Sequence, residues 1–82
     1  MAALEPLFTE EFTKELNKLD KTAKEAALKQ INKIIENPLR QKPLHGGSNL
    51  FRERFLKYRI VYKIENNQII FLRLGKRDNV YE

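Results

Sequence analysis

The spacing of apolar residues changes once along this chain, and that change fixes the class of fold. From Phe8 to Ile35 apolar side chains recur every three or four positions, whereas after the loop, from Leu50 to Leu74, the period changes to two. The first spacing matches the 3.6-residue turn of a helix and the second the two-residue repeat of a strand. Helices followed by strands, not interleaved with them, define an α+β protein.

Thr9 offers an N-cap, with Glu10 and Glu11 where the positive end of a helix dipole favours carboxylates. Phe8, Phe12, Leu16 and Leu19 then follow at helical spacing, with Lys14 and Lys18 on the polar side, and the helix is expected to end near Leu19. Asp20-Lys21 makes the connection, and Thr22-Ala23-Lys24-Glu25 has the form of a capping box that opens a second helix. Glu25, like Glu10 and Glu11, reads as a helix-start charge. The second helix carries Ala27, Leu28, Ile31, Ile34 and Ile35 as its apolar stripe, with Leu28, Ile31 and Ile35 expected in the core, and Asn37-Pro38 stops it. So short a connection forces an antiparallel hairpin.

Before the hairpin, Leu4 to Phe8 reads as a strand that Pro6 confines to an edge. After it, Pro43 and Gly46-Gly47 mark a loop from Leu39 to Asn49. Leu50 to Phe55, Tyr58 to Glu65 and Gln68 to Gly75 then read as three strands. Asn66-Asn67 suits a two-residue turn because Asn tolerates positive φ, while Leu56-Lys57 makes the other turn with weaker chemistry. Lys76 to Glu82 forms a polar tail. The expected architecture is an N-terminal edge strand and an antiparallel helical hairpin packed on one face of an antiparallel sheet, in the order β-α-α-β-β-β.

At 82 residues the chain reads as one domain, residues 1–82. A domain of this size buries only about two-thirds of its unfolded surface, so its stability is modest. With no cysteine there is neither a disulfide framework nor a thiolate metal site, which fits a reducing compartment. No apolar run approaches the ~20 residues of a membrane span, and Met1 to Pro6 lacks the plan of a signal peptide. A cytoplasmic, soluble protein is expected. Sixteen Lys and Arg against eleven Asp and Glu leave a net charge of +5, which favours polyanionic partners.

Two-residue turns set Arg54 opposite Arg59 and Val61 opposite Leu72. Alternation then gives one face to Phe51, Phe55, Tyr58, Ile60, Tyr62, Ile64, Ile69 and Phe71, which should receive the helices. Glu53 and Arg73 interrupt that face and are expected to pair across the strands. The opposite face carries Arg52, Arg54, Arg59 and Lys63, with Val61, Ile70, Leu72 and Leu74 between them. Like charges directly opposite one another destabilise a sheet. A face that keeps them is matched to an anion, or else is a solvated rim partly covered by the tail.

Three segments, Phe51-Arg52-Glu53-Arg54-Phe55, Tyr58-Arg59-Ile60-Val61-Tyr62 and Gly75-Lys76-Arg77-Asp78-Asn79-Val80-Tyr81, carry a family likeness. In their order and spacing the chain resembles the RelE/ParE superfamily, the toxins of type II toxin–antitoxin pairs, and within it the RelE branch. That resemblance implies a ribosome-dependent endoribonuclease that cleaves messenger RNA in the A site, with no metal and no cofactor. It implies that Arg52 and Arg54 stand where the family has two strand lysines that activate the nucleophile and bind phosphate. Arg59 and Arg77 match arginines that stabilise the phosphorane and the leaving group. Tyr81 matches a tail tyrosine acting as general base or stacking platform. Arginine shuttles protons less readily than lysine, so arginines at 52 and 54 imply either slower cleavage or more reliance on Tyr81 and the ribosome. Lys63 and Lys76 are expected to bind RNA. The implied partners are a RelB-like antitoxin, the ribosome and messenger RNA, with no membrane. Two alternatives stay open: a ParE-like inhibitor of DNA gyrase without nuclease activity, and a chain that only binds its antitoxin. His45, the one histidine, reads as a loop residue. Isolated from other ligands, it makes a poor metal site.

Overall fold

The computed structural model describes residues 4–37 and 49–76. The elements run β1 (Glu5–Phe8), α1 (Glu10–Asn17), α2 (Lys21–Glu36), β2 (Leu50–Phe55), β3 (Tyr58–Glu65) and β4 (Gln68–Lys76). The four strands form one sheet in the order β1-β4-β3-β2. Strands β2, β3 and β4 are antiparallel neighbours, as the alternation predicts. β1 adds in parallel beside β4, making the sheet mixed. Parallel neighbours need a long connection, and everything from α1 to β3 supplies it.

Pro6 sits on an edge strand, and its orientation explains why it is tolerated there. The amides of Glu5 and Thr9 donate to the carbonyls of Asn67 and Phe71 at 3.2 and 3.1 Å, so alternate residues of β1 face β4. The imide of Pro6 therefore falls on the open side, where a missing donor also blunts further strand addition.

Thr9 caps α1 as expected, accepting from the Phe12 amide at 3.1 Å, and its hydroxyl also donates to the Leu72 carbonyl at 3.0 Å. The cap of α2 is not the one the capping-box pattern predicts. Asp20 occupies it, its Oδ1 accepting from the Ala23 amide at 2.8 Å, and the helix begins at Lys21. Thr22 and Glu25 thus lie inside the helix, and its first turn holds no acidic residue. Asp20 competes successfully because a carboxylate both satisfies the amide and meets the dipole. Replacing Asp20 with Ala is expected to cost about 1 kcal/mol, and Thr22→Ala less than about 0.5 kcal/mol. Urea unfolding of the two variants measures the difference, and equal losses would contradict Asp20 as the cap.

The helices cover one sheet face, and the core lies between. Phe12, Ala27, Ile31 and Ile34 meet Phe51, Phe55, Ile60, Tyr62, Ile69, Phe71 and Leu74 there. Aromatic rings run through it in sequence: Phe8 stacks on Phe71 at 4.9 Å, Phe71 meets Tyr62 at 5.9 Å, and Tyr62 stacks on Phe51 at 5.3 Å. Leu28, expected in the core, is 46 % exposed. The buried ridge of α2 is Ala23, Ala27, Ile31 and Ile34, and Leu28 falls one step around the helix from it. There it lines a groove with Pro6, Phe8, Leu16 and Ile35.

Strand β4 departs from the expected register. Tyr62 pairs with Phe71 as the alternation requires, but Val61 pairs with Arg73 and not Leu72, because a bulge intervenes. The extra residue reverses the alternation beyond it. Leu74, expected on the outer face, enters the core fully buried opposite Ile60. The expected Glu53–Arg73 pair does not form. Glu53, 3 % exposed, accepts from Gln30 Nε2 at 2.7 Å, and Arg73 turns to Glu15 of α1.

Helix α1 holds the bulge in place. β1 covers the edge of β4 only as far as Phe71. Beyond it, the Thr9 hydroxyl takes the Leu72 carbonyl and Glu15 Oε1 accepts from the Leu74 amide at 2.8 Å. The two Glu15 oxygens also accept from Arg73 Nε and Nη2 at 3.4 and 3.2 Å. That hydrogen bond first, and the opposite charge second, raise the Arg73 pKa above its already high value. A raised basic pKa stabilises the fold at every pH below the unfolded value and is lost only at higher pH. The pair is therefore insensitive to pH throughout the physiological range. Glu15→Ala is expected to cost about 2 kcal/mol because it strands a part-buried amide. Glu15→Gln keeps an acceptor and loses only an exposed ion pair, at most about 1 kcal/mol. Equal losses in denaturant titrations would show that the amide bond is not the larger part.

Candidate nucleic-acid interface

Strands β2 and β3 deliver the cations. Their register sets Arg54 opposite Arg59, as expected, and Arg52 opposite Val61. Phe51, Phe55, Ile60 and Tyr62 on these strands enter the core under the helices, so the alternate residues Arg52, Arg54, Arg59 and Lys63 take the outer face. On β4 the bulge sets Arg73 opposite Val61, with its guanidinium held by Glu15, while Gly75 lies opposite Arg59 and Ile70 opposite Lys63.

The four cations share a face but not an environment. Arg54 is exposed, Arg52 and Lys63 are half-buried, and Arg59 is 5 % exposed. β3 lies between β4 and β2, so residues on it have neighbours on both sides, and Val61 is buried as well. Lys63 Nζ pairs with Glu65 Oε1 at 2.9 Å, a contact that the sequence reading did not anticipate. Lys76 is exposed and stands opposite Tyr58, whose neighbours two and four positions on, Ile60 and Tyr62, are in the core. It is therefore in register with the helix side of the sheet, not with the outer cations. Arg77, Tyr81 and His45 lie outside the described residues.

This arrangement suits a phosphodiester. Guanidinium groups bind phosphate oxygens in bidentate fashion, and Arg54 beside Arg59 places two of them across one strand pair. The burial of Arg59 means that much of its hydration is already stripped, so a phosphate reaching it would meet a charge in a low-dielectric setting. Among the described residues, no cluster of three or more His, Cys, Asp or Glu is placed to hold a metal ion. No helix among them is long and apolar enough to cross a membrane.

A helical hairpin on one face of a mixed four-stranded sheet is the fold of the RelE/ParE superfamily. The family model described as "ParE toxin of type II toxin-antitoxin system, parDE" matches residues 7–81, and the chain belongs to that family. No curated protein matches it significantly. Solved structures do. The isolated E. coli RelE toxin is 25 % identical with a TM-score of 0.80, over 90 % of this chain and 84 % of that one. The RelBE2 toxin–antitoxin complex of Mycobacterium tuberculosis is 26 % identical, TM-score 0.77, over 93 % and 100 %. The RelB–RelE complex of Methanococcus jannaschii is 27 % identical, TM-score 0.68, over 88 % and 91 %. The chain is thus a type II toxin with a RelE-like structure. The resemblance to complexes supports an antitoxin as its partner.

Proposed function

We propose that this toxin is a ribosome-dependent endoribonuclease that cuts messenger RNA in the A site, and that it does so in the cytoplasm. The observation that carries the reading is the pairing of Arg54 with Arg59 on the sheet face turned away from the helices. Two guanidinium groups directly opposite one another match the charge that builds on a phosphorane's non-bridging oxygens, a match that binding to gyrase does not call for. In the reaction the ribose 2′-oxygen attacks the adjacent phosphorus and forms a new P–O bond. The bond to the 5′-oxygen of the next nucleotide breaks, leaving a 2′,3′-cyclic phosphate and a 5′-hydroxyl. One proton leaves the 2′-hydroxyl and one reaches the departing 5′-oxygen. No metal or cofactor is assigned a role.

Arg52 and Arg54 take the attacked phosphate and favour the ionised 2′-oxygen beside it. Arg59 and Arg77 neutralise the charge that builds on the non-bridging oxygens and the leaving group. Tyr81 accepts the 2′-proton or stacks on a base. As a base it needs neighbouring cations to favour phenolate, because an unperturbed phenol has a pKa near about 10. Lys63 contributes to RNA binding once it exchanges Glu65 for a phosphate. A RelB-like antitoxin neutralises this basic surface in the resting pair.

The family-model match favours a second reading, a ParE-like toxin that poisons DNA gyrase without cutting RNA. The fold is shared, so only activity separates the two. Purified chain is incubated in parallel with programmed ribosomes and with gyrase on relaxed plasmid. The proposal expects messenger cleavage and undiminished supercoiling. Lost supercoiling with intact messenger would replace it by the second reading. If neither activity appears, the chain only binds its antitoxin.

A further inference from the structure

We infer that the tip of the β2–β3 turn, Leu56 and Lys57 with Tyr58 and Lys76 at its base, is a second contact for single-stranded RNA that receives an unpaired base. The inference rests on the reading of this toxin as RNA-directed, and it adds a site on the rim of the sheet that the cleavage chemistry does not use.

Leu56 combines two unfavourable features in one residue. Its φ is 50°, in the left-handed region where a side chain with a Cβ is strained, and it is 63 % exposed, the most exposed of the large apolar residues in the described structure. The other two-residue turn of the same sheet shows what an unburdened sequence looks like. There Asn66 and Asn67 take φ of 52° and 65°, and Asn adopts that region readily and is polar besides. Glycine or asparagine at position 56 would relieve both defects. Strain that persists at an exposed apolar residue points to a contact made outside the fold.

The surroundings indicate the chemistry of that contact. Leu56, Lys57 and Tyr58 line a notch of about 270 Å³ with Asp20, Thr22 and Ala23. Lys57 Nζ lies 5.8 Å from the Tyr58 ring centroid, and the half-buried ring is stacked on Phe55 at 5.5 Å, which fixes its orientation. Exposed Lys76 pairs in register with Tyr58, while exposed Arg54 stands two residues before Leu56 on the outer face. Cations therefore flank the tip on both sides of the sheet. The one carboxylate of the notch, on Asp20, is committed to the cap of α2. An apolar wedge, an aromatic ring and flanking ammonium groups are what a splayed base and its phosphates require. A strand rounding this rim would present one nucleotide to the notch and a neighbour to the outer face.

The test measures binding of an unstructured, end-labelled RNA of about 12 nucleotides to the full chain at low salt by fluorescence anisotropy. Leu56→Gly relieves the strained φ, so its melting temperature is expected to stay level or rise. Its affinity is expected to fall about fivefold or more, and that of Lys57→Glu likewise. Unchanged affinity in Leu56→Gly overturns the inference, as does failure of the parent chain to bind. Weaker binding of Leu56→Gly to the antitoxin, with RNA affinity unchanged, would also overturn it and make the turn a protein contact. Messenger cleavage on ribosomes is scored with the same samples. RNA binding that depends on Leu56 without any cleavage removes the nuclease reading alone. Cleavage with RNA binding indifferent to Leu56 removes the rim site alone.

Discussion

Arg54→Ala is expected to lower messenger cleavage on programmed ribosomes by about 100- to 1000-fold, the usual loss when one preorganised donor to a developing oxyanion is removed. The same substitution should leave the fold untouched. Arg54 is exposed, and its partner across the strand pair is another arginine. Removing one of two opposed like charges relieves repulsion, so the urea midpoint should hold steady or rise slightly. Activity and stability thus move apart, which a structural role for Arg54 could not produce. Arg59 is the less informative position for this experiment. At 5 % exposure its truncation leaves a void in the sheet face and mixes a packing loss with a chemical one. Single-turnover cleavage rates read beside denaturant curves separate the two quantities. A variant that cuts at more than about a tenth of the parent rate would remove Arg54 from the reaction.

Phe71→Ala should be the most destabilising single change in the sheet. The ring is fully buried and lies 4.9, 5.4 and 5.9 Å from the rings of Phe8, Phe12 and Tyr62. It therefore joins β1, α1 and β3 through one side chain. Truncating a buried phenylalanine costs about 3–5 kcal/mol. A domain of this size has only about 4–12 kcal/mol in total. Most of the cooperative transition should be lost near physiological temperature, and Phe71→Leu should recover about half of the deficit. Equilibrium denaturation with far-ultraviolet circular dichroism measures both. A loss under about 1.5 kcal/mol for Phe71→Ala would mean that the rings do not form one cluster.

The helical hairpin and the three antiparallel strands were legible because each depends on local periodicity alone. Asn66-Asn67 was legible for a similar reason, since the turn's dihedrals and the residue's tolerance coincide. The cap of α2 was misread because Asp20 and Thr22 both offer oxygens two positions apart, and only geometry decides between them. The bulge in β4 left one trace, Arg73 on a face that unbroken alternation would make apolar, but the run Ile69-Ile70-Phe71-Leu72 has no polar residue to mark Leu72 as extra. What places the bulge is Thr9 and Glu15, more than fifty residues away in sequence. Long-range side-chain bonds to strand backbone cannot be read from a strand's own pattern.

The cationic face was legible in position but not in environment. Alternation assigned Arg52, Arg54, Arg59 and Lys63 to one side, and the register agrees. Arg59 is 5 % exposed while Lys63, on the same face of the same strand, is half-buried, a difference that the alternation of β3 does not encode. Leu28 illustrates the converse. Its helical spacing is correct, but the buried ridge of α2 is centred on alanines, which allow close approach to the sheet and leave the leucine at the groove.

The chemistry of the cut ends tests the central claim most directly. Messenger recovered from programmed ribosomes after incubation with the purified toxin is analysed for its new termini. In-line attack by the 2′-oxygen under arginine stabilisation leaves 2′,3′-cyclic phosphate and 5′-hydroxyl ends at the A-site codon, formed about 100- to 1000-fold more slowly when Arg54→Ala replaces the parent chain. Ends bearing 5′-phosphate, cuts that do not depend on the ribosome, or intact messenger would each contradict it.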